Sequence, residues 1–257
     1  MNNFFANMKK TPFLSVVIPC YNEEKNLRLG VLEKVAKFLK TKNYSWEVII
    51  VDDGSEDKSR KLIKKFLKKN PQFNLIENSH QGKGPAVITG VLASQGQYIL
   101  FADLDQATPI TEVGKLLPWF EKGFDLVIGS REAKRKGAPI VRLLMAKGFI
   151  FIRNFILGLG IADTQCGFKA FKRKSAQDIF ERLKVYGKRK RVEGAKVSAG
   201  FDIELLLIAQ KRGYQIKEVP VEWFYQETRR VNPLRDSWEG LKDLVKIKIN
   251  EIKGLYE

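Results

Sequence analysis

The chain has 257 residues, 44% of them hydrophobic, which suits one large domain with a full core. Two cysteines far apart, Cys20 and Cys166, and a single histidine, His80, argue against a disulfide framework and a structural zinc site. Lys and Arg outnumber Asp and Glu by 46 to 29, and the net charge of +17 calls for an anionic partner class without choosing between nucleic acid, anionic lipid and phosphorylated substrates.

Residues 1–12 lack the apolar core of a signal peptide and read as an N-terminal extension. Leu14–Ile18 is a short apolar run ending at Pro19, the pattern of a buried strand. Asn22 is placed to cap the next helix, with Glu23 and Glu24 in its first turn, and that helix is expected to run to about Lys42. Glu47–Val51 reads as a second buried strand, and Asp57–Lys69 as a basic amphipathic helix stopped by Asn70-Pro71. Phe73–Ile76 (strand), Lys83–Ser94 (helix), Tyr98–Ala102 (strand) and Asp125–Gly129 (strand) follow. Strands alternating with helices over short connections predict a Rossmann-like α/β fold, a mostly parallel sheet with helices on both faces.

Beyond residue 139 the pattern changes. Pro139–Leu159 reads as an apolar helix, Asp163–Gly167 as a polar loop, and Lys172–Lys196 is rich in Lys and Arg. Phe201–Arg212 is expected as a helix, Ile216–Val221 as a strand and Ser237–Lys253 as a long amphipathic helix. The most apolar stretch, Val141–Ile161, carries Arg142, Lys147 and Arg153, which makes it a poor transmembrane span. Within it, Leu143–Ile161 suits an interfacial helix and a core helix or dimer contact equally, and Lys188–Arg191 reads as a mobile basic loop that could dock on lipid head groups.

Ligands of such sheets bind at the carboxyl ends of the strands. Here the first strand ends in Pro19-Cys20-Tyr21-Asn22-Glu23, the second in Asp52-Asp53-Gly54-Ser55 and the fourth in Asp103-Leu104-Asp105. Each alone fits a helix cap or a turn, but three on one edge point to a site. Asp103 and Asp105, directly after a buried strand, can face one hard cation, Mg2+ or Mn2+, of the kind that clamps a diphosphate. Gly82-Lys83-Gly84 opens a helix and can approach a phosphate, although it is not a P-loop.

These motifs, in this order and spacing over residues 13–130, resemble those of family 2 glycosyltransferases with the GT-A fold. Gly129-Ser130-Arg131, Asp163–Lys169, Phe201–Glu204 and Asn232–Ser237 resemble the dolichyl-phosphate glucose synthases, with the mannose synthases close relatives. The resemblance implies that Pro19, Tyr21, Asn22 and Glu23 hold the nucleoside, that Asp52 binds the base edge beside Asp53, and that Lys83 sits near the nucleotide. It implies Asp103, Leu104 and Asp105 at the metal-bound diphosphate, Arg131 and Lys169 facing an acceptor phosphate, and Arg229 or Arg230 closing a lid. Asp163, Gln165 and Asp202 would line the acceptor and sugar pocket. Gln106 directly follows Asp105, where the mannose-synthase pattern has its Gln two residues on, and Arg229-Arg230 replaces the Ser-Lys usual in glucose synthases.

The expected reaction is inverting transfer of a hexose, glucose from UDP-glucose as first choice, to a polyprenyl or dolichyl phosphate. The expected layout is a catalytic domain over 13–236, its nucleotide-sugar half 13–130 and its acceptor half 131–236, then a C-terminal amphipathic helix over 237–257. The protein would be cytoplasmic, peripheral on the cytoplasmic face of an anionic membrane, without a transmembrane span or signal peptide. It would not bind nucleic acid, and a homo-oligomer stays open. Competing readings are a GDP-mannose-dependent mannose synthase, a transferase to a sugar hydroxyl with Asp202 or Glu204 as base, a nucleotidyltransferase, and a basic nucleic-acid-binding protein. The last has no recognised module, and its carboxylates would repel a phosphate backbone.

Overall fold

The computed structural model describes residues 11–131, 148, 150, 152–187, 199–224 and 233–257. Among these, β1 (Leu14–Cys20), β2 (Trp46–Asp52), β3 (Phe73–Glu77), β4 (Tyr98–Ala102), β5 (Leu126–Ser130), β6 (Phe168–Lys172) and β7 (Ile216–Pro220) form one sheet in the order β3-β2-β1-β4-β6-β5-β7. Every pairing is parallel except those of β6, which runs antiparallel to both β4 and β5.

Helices cover both faces, as the alternation predicts. One face packs Leu14, Val16, Ile18, Val48, Ile50, Leu100 and Phe168 against α1 (Glu24–Arg28), α2 (Val31–Leu39), α3 (Ser59–Leu67) and the short α5 (Val113–Leu116) and α6 (Pro118–Glu121). The other packs Val17, Ile99, Phe101, Ile128 and Phe171 against α4 (Lys83–Ala93), α7 (Arg173–Glu181), α8 (Ala199–Lys211) and α9 (Pro233–Ile252). Helix α8 is buried on nearly every side: Phe201, Ile203 and Leu205–Ala209 are all inside, and so are Asp202 and Glu204.

Three expectations change. The helix expected from Asn22 to Lys42 is two, because Gly30 adopts φ +71°, a left-handed conformation that ends α1 and restarts the chain as α2. Asn22 does not cap α1. Its own φ is +51°, and its Oδ1 accepts from the amides of Glu56 (2.8 Å) and Asp57 (3.3 Å) in the loop before α3. The strand β6 was absent from the sequence reading altogether. Its Phe-Lys-Ala-Phe-Lys pattern places Phe168 and Ala170 on one face and Lys169 and Phe171 on the other, a fully buried strand carrying a lysine.

The carboxyl ends of β1, β2 and β4 lie side by side, β1 being the central partner of both. The reversal of β6 brings its amino end to the same edge: Ala102 pairs with Phe168, so Asp103 and Gly167 face each other just beyond the ladder.

Candidate active site

Hydrogen bonds staple the ends of β1 and β2 together. The Asn22 amide donates to Ser55 Oγ (3.0 Å), the Glu23 amide to Ser59 Oγ (2.8 Å) and the Asp53 amide to the Cys20 carbonyl (2.8 Å). Pro19 is half-buried at the end of β1. The Tyr21 ring stacks on His80, centroids 3.9 Å apart and planes within 7°.

Asp52 and Asp53 are both buried but differ in partners. Asp52 Oδ2 accepts two hydrogen bonds from Arg60 (2.9 and 3.0 Å) and one from the Ser55 amide, whereas Oδ1 is buried with no partner. Such an orphan acceptor is costly unless a ligand donor meets it. Asp53 accepts from the amides of Gln81 (3.0 Å) and Gly82 (2.7 Å) and pairs with His80 Nδ1 (2.8 Å). Burial pushes the Asp53 carboxyl up, against those donors.

Lys83, at the start of α4, forms an ion pair with Asp103. A methyl group on Gly167 would lie 2.2 Å from Asp103 Oδ2, so the backbone of Gly167 forms a wall that only a hydrogen fits. Leu104 turns into the core between the two carboxylates and anchors their loop. Asp105 Oδ1 accepts from the Ala107 amide (3.0 Å). Gln106, at φ +50°, donates to the Asp103 carbonyl (2.9 Å) and accepts from the Ile110 amide (2.9 Å), which closes the loop. Among the described residues no cluster of three or more His, Cys, Asp or Glu side chains is built to cage a metal. Two carboxylates at a strand end fit an ion that takes its remaining ligands from phosphate and water, the habit of Mg2+ and its hard relatives.

Across β6 lies the second half of the edge. Arg131, just past β5, grips Asp163 with both ends of its guanidinium (2.7 and 2.8 Å) and adds its amide (2.9 Å). Burial alone would raise the Asp163 carboxyl; the Arg131 fork outweighs it and holds the group at about 2. Glu218 on β7 braces this loop from the amides of Ala162 and Asp163 (both 2.9 Å), and Trp223 lies 5.7 Å from the Arg131 guanidinium. Gln165 is exposed beside them. Lys169 is fully buried: Nζ donates to Asp202 (2.6 Å) and to the Cys166 carbonyl (2.5 Å), over the face of Phe101. Glu204, two residues on from Asp202, is occupied elsewhere, accepting from the amides of Lys184, Val185 and Tyr186 and from the Tyr256 hydroxyl. Arg229, Arg230 and the basic run 188–191 lie outside the described residues.

One edge thus joins an aromatic stack beside two buried carboxylates, two further carboxylates with a lysine, and a fixed guanidinium. The model of the family described as "Glycosyl transferase family 2" matches residues 15–180. The chain belongs to glycosyl transferase family 2. Among curated relatives, the dolichyl-phosphate beta-glucosyltransferase of Dictyostelium discoideum is 34% identical over 95% of this chain and 76% of its own length. The Saccharomyces cerevisiae and Homo sapiens proteins of the same name are 37% and 35% identical over 95% and 96% of this chain, and over 76% and 78% of theirs. Among solved structures, glucosyl-3-phosphoglycerate synthase from Mycobacterium tuberculosis with Mn2+ and UDP superposes with a TM-score of 0.61 at 18% identity, covering 92% of this chain and 80% of that one. A Pyrobaculum calidifontis mannosyltransferase with GDP-Man and Mn2+ gives 0.60 at 17% identity; 95% of this chain is covered, and the chain spans 65% of that one. The fold is GT-A, as the resemblance implied.

Several residues of this family 2 site escaped the sequence reading. His80 is a lone histidine in a loop, Arg60 is one of many basic residues on α3, and Gly167 acts on a residue of another strand. Arg153 is fully buried, and among the described residues its guanidinium donates to neutral acceptors, Asn154 Oδ1, Thr164 Oγ1 and the Ile161 carbonyl. Gly167 stands within the Asp163–Lys169 motif but nothing there tells its role, and no short motif announces the other three.

Proposed function

We propose that this glycosyltransferase moves glucose from UDP-glucose to the phosphate of a polyprenyl or dolichyl phosphate, with inversion at the anomeric carbon. The observation that carries the reading is the near full-length likeness to three dolichyl-phosphate beta-glucosyltransferases at 34–37% identity. Residues 13–130 bind the donor and 131–236 the acceptor, and the chain ends with α9 (Pro233–Ile252) and a short turn.

In this reading the nucleoside lies against Pro19, Tyr21, Asn22 and Glu23. The orphan Asp52 Oδ1 awaits a donor from the base edge, with Asp53 fixing the loop beside it. Asp103 and Asp105, through the backbone turn at Leu104, hold Mg2+ or Mn2+, which offsets the charge of the departing diphosphate. Lys83 already points its cation at that position and adds a second positive charge. An acceptor phosphate is an anion near neutral pH and needs no general base, so alignment and charge do the work. Arg131, held by Asp163, presents a rigid guanidinium to that phosphate. Lys169 supports it from beneath while neutralising Asp202, Gln165 contacts the sugar, and Arg229 or Arg230 close over the acceptor. Attack by the phosphate oxygen on the anomeric carbon breaks its bond to the diphosphate, which leaves with both electrons.

No helix among the described residues is long and apolar enough to cross a membrane. The proposed location is the cytoplasmic face of a membrane, reached from the surface. The test supplies UDP-glucose or GDP-mannose, Mg2+ or Mn2+, and a short polyprenyl phosphate. Lipid-linked glucose formed by wild type and lost in Asp105→Ala is the expected result. Product from GDP-mannose alone, or transfer only to a free sugar hydroxyl, overturns the choice of substrates.

A further inference from the structure

Helix α9 is amphipathic twice over. Its inner side packs Leu244 and Ile247, both wholly buried, onto the α8 layer, and is pinned by Lys211–Glu251 (2.6 Å) and by the Tyr186 hydroxyl on Asp243. Its outer side carries Trp238, Val245, Ile249 and Ile252, exposed by 61%, 53%, 44% and 75%. At about 100° per residue these four fall in one stripe roughly 60° wide, opposite the buried side. A helix already anchored in a core has no structural need of a second apolar stripe, and large apolar groups aligned in water mark an interaction surface.

The charges say what covers it. Lys242, Lys246 and Lys253 are exposed along one border of the stripe, and Lys248 lies on the other. Among the acids of the same helix, Glu239 lies beside Lys246 on the lysine border, while Asp243 and Glu251 stand further round: Asp243 takes the Tyr186 hydroxyl and Lys246, and Glu251 takes Lys211 and Lys248. Lys242 lies 5.4 Å from the Trp238 ring, an amphipathic pair suited to a level where apolar chains meet charged head groups. An apolar ridge bordered by lysines matches an anionic bilayer surface: the ridge enters the acyl boundary and the ammonium groups meet lipid phosphates. A second copy of this chain would instead set lysine borders against lysine borders on a molecule of net charge +17.

We propose that the outer stripe of α9, Trp238-Val245-Ile249-Ile252 with its lysine borders, is the surface by which this enzyme docks on anionic lipid bilayers. The assignment deepens the lipid-linked acceptor reading above and rests on it for its purpose, although the binding itself can be measured alone. The experiment uses the full chain and sedimentation with vesicles of phosphatidylcholine, with and without phosphatidylglycerol. Three proteins are compared: wild type, Ile249→Asp with Ile252→Asp, and Leu29→Asp, a change of the same kind at one exposed leucine elsewhere. Wild type and Leu29→Asp are expected to pellet with phosphatidylglycerol vesicles, and the stripe variant to bind roughly tenfold more weakly. Light scattering in the absence of vesicles is expected to give the same mass for all three. A stripe variant that pellets like wild type, a wild type that ignores both vesicles, or a dimer that the stripe variant dissolves would each overturn the proposal. Transfer of glucose to a short polyprenyl phosphate without vesicles separates the two readings: the stripe variant should retain it. Wild type that docks through the stripe yet transfers nothing would keep the surface and sink the acceptor.

Discussion

Asp103 is held from two sides by quite different means. Lys83 attracts its carboxylate, while Gly167 confines it by being small. A methyl group at 2.2 Å from Oδ2 cannot be tolerated without moving the carboxylate, and the opposing atom is polar and needed. Gly167→Ala is therefore expected to weaken Mn2+ binding in the presence of UDP and to lower kcat by about 100-fold, since about 1 Å of misplacement costs that much. Unfolding midpoints should fall only slightly. Metal titration by electron paramagnetic resonance checks this, and unaltered Mn2+ affinity would show the contact to be slack. At this scale the sequence announces residues that recur in short motifs, such as Asp52, Asp103 and Asp105. It is silent on His80 and Arg60, and on what Gly167 does within the Asp163–Lys169 motif, because their partners sit on other elements.

Among the elements of the described residues, β6 is the strand that local sequence patterning does not show. Lys169 and Lys172 interrupt its apolar run, and period and polarity then favour a loop. The lysine is tolerated because α8, which packs on that face, supplies Asp202 at 2.6 Å. A buried pair of this kind costs more to break than to replace. Lys169→Met is expected to destabilise the protein by about 3–5 kcal/mol, and Lys169→Met with Asp202→Leu to regain most of that. Chemical denaturation checks the stability, and the transfer assay run alongside separates the roles. Activity that returns with stability in the double variant would remove Lys169 from the acceptor site. The split of the first helix was missed for a simpler reason: apolar periodicity continues through Gly30, and only the backbone shows that the glycine turns left-handed there.

For the whole molecule, pH dependence follows from which carboxylates burial has moved. The Asp163 carboxyl is held at about 2, below its usual 3.8, so its contribution is complete above that usual value and is lost as pH falls toward 2. The difference is worth about 2 kcal/mol. Asp53 and Glu204 are shifted upward, burial being the main cause, so what they contribute fades instead as pH rises through their raised values. Denaturation across the acid range should show stability falling most steeply between about pH 4 and 2. Asp163→Asn should be less stable near neutrality and flatter in acid; an unchanged slope would mean that the Arg131 fork stabilises nothing. The α/β alternation and the ligand-binding edge were legible because they rest on local periodicity. The pairing of Arg131 with Asp163, and the bracing of the Asp163 loop by Glu218, was not, because it joins β5, β7 and the loop before β6.

The reversed strand also orders events in time. During synthesis β4 emerges with Asp103 and Asp105 well before β6 exists, and its outer edge stays open until some sixty residues later the ribosome delivers Phe168–Lys172. Only then does Gly167 wall in Asp103, and Lys169 waits longer still, for α8 to bring Asp202. The edge beside Asp103 is thus closed only after β1–β5 have been made, with β7 still to join. On the reading proposed above, a nascent chain that already holds every donor-side motif still lacks the residues that complete the site.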